Sequence, residues 1–231
     1  MTITLITGGN RGLGLETARR LLALGHTVYI GSRDLAAGTA VAESIGARAV
    51  QLDTTSDSSV AAAAAFIREQ EGALDVLVNN AGISGPFAEP LEITGPDALA
   101  VFDVNVAGIV RTVHAFAPLL ADSAHPRIVN VSSGLGSIAA VRDETRVEST
   151  LNTLIYSASK SAVVMLTVQY SRALPGALVN AADPGYTATD FNHHNGTQTV
   201  TEGTDAIVRL ATLGDDGPTG GYFDRAGVAA W

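Results

Sequence analysis

The stretch that decides the fold is Thr2-Ile3-Thr4-Leu5-Ile6-Thr7 followed at once by Gly8-Gly9-Asn10-Arg11-Gly12-Leu13-Gly14. A β-branched run ends at Thr7, a glycine-rich turn follows, and a helical pattern over 12–24 opens inside that turn. Glycine permits the sharp turn and a close backbone approach to a ligand. The start of the helix then offers unpaired N–H groups and a positive dipole end to an anion. Strand, glycine turn and helix in immediate succession form a setting for a pyrophosphate. The triphosphate-binding loop pattern is not met, because no Lys-Ser/Thr follows Gly14.

Outward from this point, strand-like runs recur at Thr27–Gly31, Ala47–Leu52, Leu74–Asn79, Arg127–Ser132, Leu178–Ala182 and Gly221–Phe223. They are largely unbroken apolar stretches, VLV before Asn79 and IVNV before Ser132, as suits strands buried on both faces of a parallel sheet. Helical patterns fall between them over 35–45, 57–71, 95–121, 152–174 and 201–213, with Ser56 and Thr201 placed to cap two of them. The alternation predicts a single-domain α/β protein of Rossmann type, a doubly wound parallel sheet with helices on both faces. Two polar stretches break the rhythm, Ala140–Asn152 and Tyr186–Val200. Both follow a strand, on the side where open α/β sheets bind ligands.

The 231 residues carry 14 basic and 23 acidic side chains, a net charge of −9, and no cysteine. The acidic balance argues against a nucleic-acid or anionic-membrane partner, either of which would want a basic face. Without cysteine there is no disulfide, thiolate metal site or cysteine nucleophile. The start, MTITLITGG, goes straight into strand residues without a basic leader, and no uncharged apolar run approaches the roughly 20 residues of a membrane span. A soluble, cytoplasmic globular protein is expected. Thirteen of the 14 basic residues are arginine, and the only lysine is Lys160.

Further short motifs arrive in order: Asn79-Asn80-Ala81-Gly82, Asn105 within DVNVAG, Ser132-Ser133-Gly134, Tyr156-Ser157-Ala158-Ser159-Lys160, and Pro184-Gly185. Together with the TGxxxGxG spacing of Thr7–Gly14, they resemble the short-chain dehydrogenase/reductase family over residues 2 to about 225. The resemblance implies hydride exchange between a nicotinamide dinucleotide and a small-molecule carbonyl or alcohol. It assigns cofactor contacts to Gly8, Asn10, Arg11, Gly12, Leu13 and Gly14, to Asp53 and Thr54 at the adenine, and to Asn80, Ala81 and Gly82. The loop containing Pro184, Gly185, Thr187 and Thr189 would meet the nicotinamide carboxamide and the phosphates. Asp53 equally suits a plain turn after the third strand.

The end of the second strand bears on the choice of cofactor. An acid there would bond a ribose 2′-OH, whereas arginine would pair with a 2′-phosphate. By the resemblance, the acid's position is taken by the neutral Ser32, followed by Arg33, and Arg11 supplies a second cation. NADP(H) is the expected cofactor. Asp34, 20 residues after Gly14, is where a general dinucleotide rule would seek an acid and would favour NAD(H). It also suits a helix cap ahead of Leu35.

Carbonyl reduction needs a proton donor at the oxygen. A tyrosine of pKa about 10 matches neutral pH only if its phenolate is stabilised. Lys160, four residues after Tyr156, lies on the same helix face and could supply that charge. The resemblance makes Tyr156 the general acid/base and Lys160 its partner and ribose ligand. It makes Ser133 the hydroxyl that orients the carbonyl, with Ser132 the adjacent alternative, and Asn105 the holder of a relay water. His193-His194, with no cysteine and no helical partner, is read as part of a lid over the substrate, and no metal is expected.

Ser133 and Tyr156 stand further apart than in most of the family, with the excess over Arg142–Asn152. That insertion would shape the pocket or obstruct a helix face used for association, so a monomer or a homo-oligomer remains open. The substrate pocket is expected from residues 84–95, 136–152 and 186–200. An NAD-dependent alcohol dehydrogenase and a non-catalytic dinucleotide-sensing module are the competing functions.

Overall fold

The computed structural model describes residues 1–231. The strand runs become β1 (Ile3–Thr7), β2 (Thr27–Ser32), β3 (Arg48–Gln51), β4 (Val76–Asn79), β5 (Arg127–Val131), β6 (Leu178–Ala182) and β7 (Tyr222–Phe223). They pair in parallel throughout, in the order β3-β2-β1-β4-β5-β6-β7. The main helices are α1 (Gly12–Ala23), α2 (Leu35–Ile45), α3 (Asp57–Glu71), α4 (Gly95–Ala121), α5 (Leu154–Ala173) and α6 (Asp205–Ala211).

Successive strand residues enter opposite core layers, as the pleat requires. Leu5, Leu77 and Ile128 pack beneath α3, α4 and α5 with Ile67, Phe116 and Val163. Ile6, Val78 and Val129 pack on the other face with Leu21, Ala42 and Ile207 of α1, α2 and α6. This is the doubly wound sheet expected from the strand–helix alternation. From neighbouring β1 and β4 the chain winds away in opposite directions, leaving a crevice beyond Thr7 and Asn79 where such folds bind ligands.

Local chemistry places the helix starts. Ser56 accepts from Ser59 N at 3.2 Å and Asp34 from Ala37 N at 3.0 Å. One cap differs from the expectation. Thr199, not Thr201, opens the penultimate helical turn Val200–Gly203, because Thr199 and Glu202 stand at the spacing of a reciprocal capping box. The Thr201 hydroxyl goes instead to Glu16 at 2.9 Å.

By length and composition α4 could cross a membrane. In the fold its Val113, Phe116, Leu119 and Leu120 belong to the core. Over Asp103–Ala107 the helix widens into a π turn, a local bulge that alters side-chain direction.

A ladder of buried polar groups crosses the sheet from α4 to α5. Thr112 Oγ1 donates to Asn79 Oδ1 at 2.7 Å, Asn79 Nδ2 to Asn130 Oδ1 at 2.9 Å, and Asn130 Nδ2 to Thr167 Oγ1 at 2.9 Å. Each group would be costly to bury alone and is satisfied by the next. The two helices that carry Asn105 and Tyr156 are thereby held to β4 and β5.

Candidate active site

The glycine loop is built in advance of any ligand. Gly8 and Gly12 have φ of +60° and +52°, which a residue with a side chain adopts only at a cost. Asn80 fastens the loop: its Nδ2 donates to the carbonyls of Thr7 and Gly8 at 2.9 and 3.0 Å. The amides of Asn80 and Ala81 donate in turn to Thr7 Oγ1 at 3.0 and 2.9 Å. Gly14 lies so close beneath that a Cβ would strike Gly8 O and Asn80 Nδ2. At the mouth, Asn10 is half-buried and Arg11 exposed, while the Leu13 side chain packs toward Gly203. No side chain caps α1, so its first N–H groups are left for an anion.

At the end of β2, Ser32 is buried and its hydroxyl donates to Asp34 O at 2.8 Å. The Asp34 carboxylate caps α2. Arg33 is exposed, and its charge helps to hold the Asp53 carboxyl below its usual range. The larger causes of that lowering are the hydrogen bonds to Asp53 Oδ1 from Thr55 N at 2.9 Å and Thr55 Oγ1 at 2.7 Å. Asp53 therefore forms an Asx turn after β3. Thr54, buried beside it, packs on Gly108 and takes a hydrogen bond from Arg111 on its carbonyl.

The structure brings Ser133, Tyr156, Lys160 and Asn105 to one place at the ends of β4 and β5. Lys160 is buried, its Nζ donating to Val131 O at 2.7 Å and lying 5.6 Å from the centre of the Tyr156 ring. Burial lowers its pKa to about 8, opposed by the nearby Asp183 carboxyl. Burial also pushes the Tyr156 phenol up, opposed by the Ser133 side chain and reinforced by Asp183. The direction at Tyr156 is the reverse of what a neighbouring lysine alone would produce. The desolvation of a phenolate outweighs an ammonium that faces the ring and is bonded elsewhere.

The two adjacent serines have different surroundings. Ser132 Oγ is buried and donates to Lys160 O at 3.0 Å, holding α5 to β5. Ser133 Oγ accepts from Leu135 N at 3.3 Å and keeps its own proton to donate. Asn105, turned inward by the π turn, clasps Ile83 with Oδ1 accepting from N at 2.8 Å and Nδ2 donating to O at 2.9 Å. Its Nδ2 also donates to Ser159 Oγ at 3.0 Å, and Ser159 Oγ donates to Tyr156 O at 2.7 Å. A Cβ on Gly82 would meet Asn105 Oδ1 at 3.3 Å and Lys160 Nζ at 3.5 Å. Asn105 is thus the strut between the Gly82–Ile83 turn and the helix of the tyrosine.

After β6, Pro184–Thr189 folds back toward the glycine loop. Thr187 and Thr189 are buried, and a Cβ on Gly12 would come within 3.8 Å of Thr189 Cγ2. The segment continues into a short turn, Asp190–Asn192, capped by Thr189. Phe191 from that turn lies over Tyr156, with ring centres 5.5 Å apart and planes at 50°. His193 and His194 follow in left-handed conformation, and His194 Nε2 pairs with Asp190 Oδ1 at 2.9 Å. The aromatic contact of Phe191 was not legible in the sequence, where it stands in an aperiodic polar run.

With this geometry in view, the chain matches the family described as short chain dehydrogenase over residues 2–199. The chain belongs to the short-chain dehydrogenase/reductase family. It is 38% identical to the short-chain dehydrogenase/reductase ATR10 of Stachybotrys chlorohalonatus, spanning 98% of this chain and 89% of that one. It is 29% identical to a (+)-neomenthol dehydrogenase of Capsicum annuum, over 97% and 96%. It superposes on the NADPH-bound carbonyl reductase from chicken fatty liver with a TM-score of 0.86 at 28% identity, covering all of both chains. This short-chain dehydrogenase/reductase is therefore an oxidoreductase acting on a carbonyl/alcohol pair.

The family's nicotinamide dinucleotide fits what the residues offer. The uncapped N-terminus of α1 and the left-handed turns at Gly8 and Gly12 form an anion cradle. The Thr189 side chain lies against Gly12, and Lys160 Nζ lies against Gly82 in the turn that follows Asn80. Gly8, Asn10, Gly12 and Leu13 would hold the phosphates, and Lys160 and Thr187 the nicotinamide end.

Proposed function

We propose that this protein is an NADP(H)-dependent carbonyl reductase. The observation that carries the cofactor choice is the pair Arg11 and Arg33: both are exposed, and neither forms an ion pair or side-chain hydrogen bond. One uncommitted guanidinium just past the end of β2, and another in the glycine loop, suit a 2′-phosphate. The competing acid is otherwise engaged, since Asp34 caps α2 and Ser32 turns its hydroxyl to Asp34 O. The NADPH-bound state of the chicken carbonyl reductase supports the same reading.

When bound, the nicotinamide supplies the hydride. The chain's own residues supply the rest. Ser133 donates a hydrogen bond to the substrate oxygen and orients the carbonyl. Tyr156, held protonated by its burial, is in the form that reduction requires and donates its proton to that oxygen. Lys160, with a pKa of about 8, is mostly cationic at neutral pH and offsets the negative charge left on the phenol. Asn105 fixes the helix that carries both, and Phe191 packs on the tyrosine ring.

The test is to measure kcat/KM with NADPH and with NADH on a panel of ketones and aldehydes. A clear preference for NADPH is expected. A preference for NADH would reverse the cofactor assignment, and no turnover with either would favour a sensing module.

A further inference from the structure

Tyr222 carries a buried hydroxyl that the mechanism above does not use. It opens β7, is 1% exposed, and packs with Val164 of α5 and Ala181 of β6. Its hydroxyl donates to Ser133 O at 2.7 Å, across 89 residues of chain. Burial pushes the phenol up, so the proton that makes this bond stays on the oxygen. The same carbonyl accepts from Gly136 N at 2.8 Å, so both of its lone pairs are occupied. The serine that orients the substrate is thereby held by its own peptide.

Packing alone does not fix that turn. A cavity of about 120 Å³ borders it, with Gly134, Ala140, Tyr222 and Ala229 in its wall, and empty space offers no contact to resist a shift. The tyrosine is placed in turn by the residues that follow it. Asp224 Oδ1 accepts from Ala226 N at 2.8 Å and Gly227 N at 2.9 Å, and Asp224 N donates to Gly227 O at 2.9 Å. This turn doubles the chain back on β7. Val228 then bridges to Phe223 in antiparallel fashion, and Ala229 N donates to Tyr222 O at 2.9 Å. Trp231 lies on the Tyr222 ring, with centres 6.1 Å apart and planes at 43°. Its carbonyl accepts from Ala139 N at 2.9 Å, on the short helix Ile138–Arg142 that follows the Ser133 turn.

We propose that Tyr222 is a positioning residue of the reaction: its hydroxyl fixes the Ser133 peptide so that the serine Oγ meets the substrate oxygen, and Trp231 keeps the tyrosine in place. The proposal rests on the carbonyl-reductase reading of the site. The substrate oxygen is oriented by Ser133 Oγ, and that atom's place follows from the peptide that carries it. Oγ itself accepts only from Leu135 N, at a long 3.3 Å. Its own bond therefore holds it loosely, and the two bonds on the carbonyl hold it firmly. The order of action runs inward from the edge of the sheet, from Trp231 to Tyr222 to Ser133.

The test is a double-mutant cycle on the full-length protein. Tyr222→Phe removes the hydroxyl and keeps the ring. It should lower kcat for ketone reduction about tenfold in the wild-type background and less than about twofold beside Ser133→Ala, because it acts only through that serine. KM for NADPH should hold within about twofold. Trp231→Ala should lower kcat several-fold, and Trp231→Phe, which restores a ring against Tyr222, should recover most of it. Amide hydrogen exchange reads the same hold without substrate or cofactor. Leu135 and Gly136, whose N–H groups bond Ser133, should exchange roughly tenfold faster in Tyr222→Phe, with Val129 of β5 unchanged. Equal kinetic losses in the two backgrounds, or unaltered exchange at Leu135 and Gly136, would overturn the proposal. Failure of the functional reading is separate: a wild type that reduces no carbonyl, with faster exchange in the variant, would reject reduction and uphold the grip of Tyr222 on Ser133.

Discussion

Ser132 and Lys160 are joined by a hydrogen bond from the serine hydroxyl to the lysine carbonyl, 3.0 Å long and buried. It sets the first turns of α5 against the end of β5, and it separates two serines that the sequence leaves side by side. Ser132→Ala should cost about 1 kcal/mol of stability by the loss of a buried hydrogen bond. Ser133→Ala should leave the melting temperature close to wild type and reduce kcat about a hundredfold, as expected for one donor to the reacting oxygen. Thermal melts and steady-state kinetics on the two variants check the division; equal kinetic losses would refute it.

Lys160 should be hard to replace by arginine. A planar guanidinium does not fit where a compact ammonium bonds Val131 O at 2.7 Å behind a phenol. Lys160→Arg is expected to impair turnover far more than folding, as read from kcat beside circular dichroism.

Burying the same lysine has a signature in stability. Its pKa of about 8 in the folded chain lies below the unfolded value of about 10.4, so the unfolded chain binds the proton more tightly. The folded state therefore carries the full penalty below pH 8 and sheds it as pH rises toward about 10.4, up to roughly 3 kcal/mol. Denaturant unfolding of wild type and Lys160→Met across that window should show wild type gaining on the variant as pH rises. A constant difference between them would contradict the depressed pKa.

Arg11 and Arg33 provide the cofactor test at the level of single residues. Alanine at either should lower kcat/KM for NADPH roughly ten- to a hundredfold, the worth of a hydrogen bond to a charged group, with little change for NADH. Equal losses with both cofactors would mean that neither arginine reads the 2′-phosphate.

Phe191 packs on the ring of Tyr156, with centres 5.5 Å apart, and is itself 43% exposed. Phe191→Ala should raise KM for apolar ketones several-fold. It should also let the Tyr156 phenol fall toward its ordinary value of about 10, because burial is the largest cause of its upward shift. The pH–rate profile and a ketone series of increasing size measure the two effects.

The parallel sheet and the ordered motifs were legible in the chain because they rest on local requirements. Apolar runs make buried strands, Ser56 and Asp34 cap helices within three residues, and the Gly8–Gly14 turn needs its glycines where the backbone bends. The i, i+4 spacing of Tyr156 and Lys160 likewise puts them on one helix face without reference to the rest of the molecule.

What only the tertiary structure decided depends on groups far apart in sequence. The amide of Asn80 binds carbonyls of the glycine loop, Asn105 reaches Ser159, and Asp34 is committed to its own helix, leaving Arg11 and Arg33 open. The insertion looked like a loop that would shape the pocket or hinder association. Folded, it brings Glu148 against Gly134, opposite Asp183. The state of Tyr156 was also beyond the sequence, since composition and spacing report which charges are near but not how much water is excluded. Desolvation sets that phenol's proton affinity, and it exists only once the fold has closed around it.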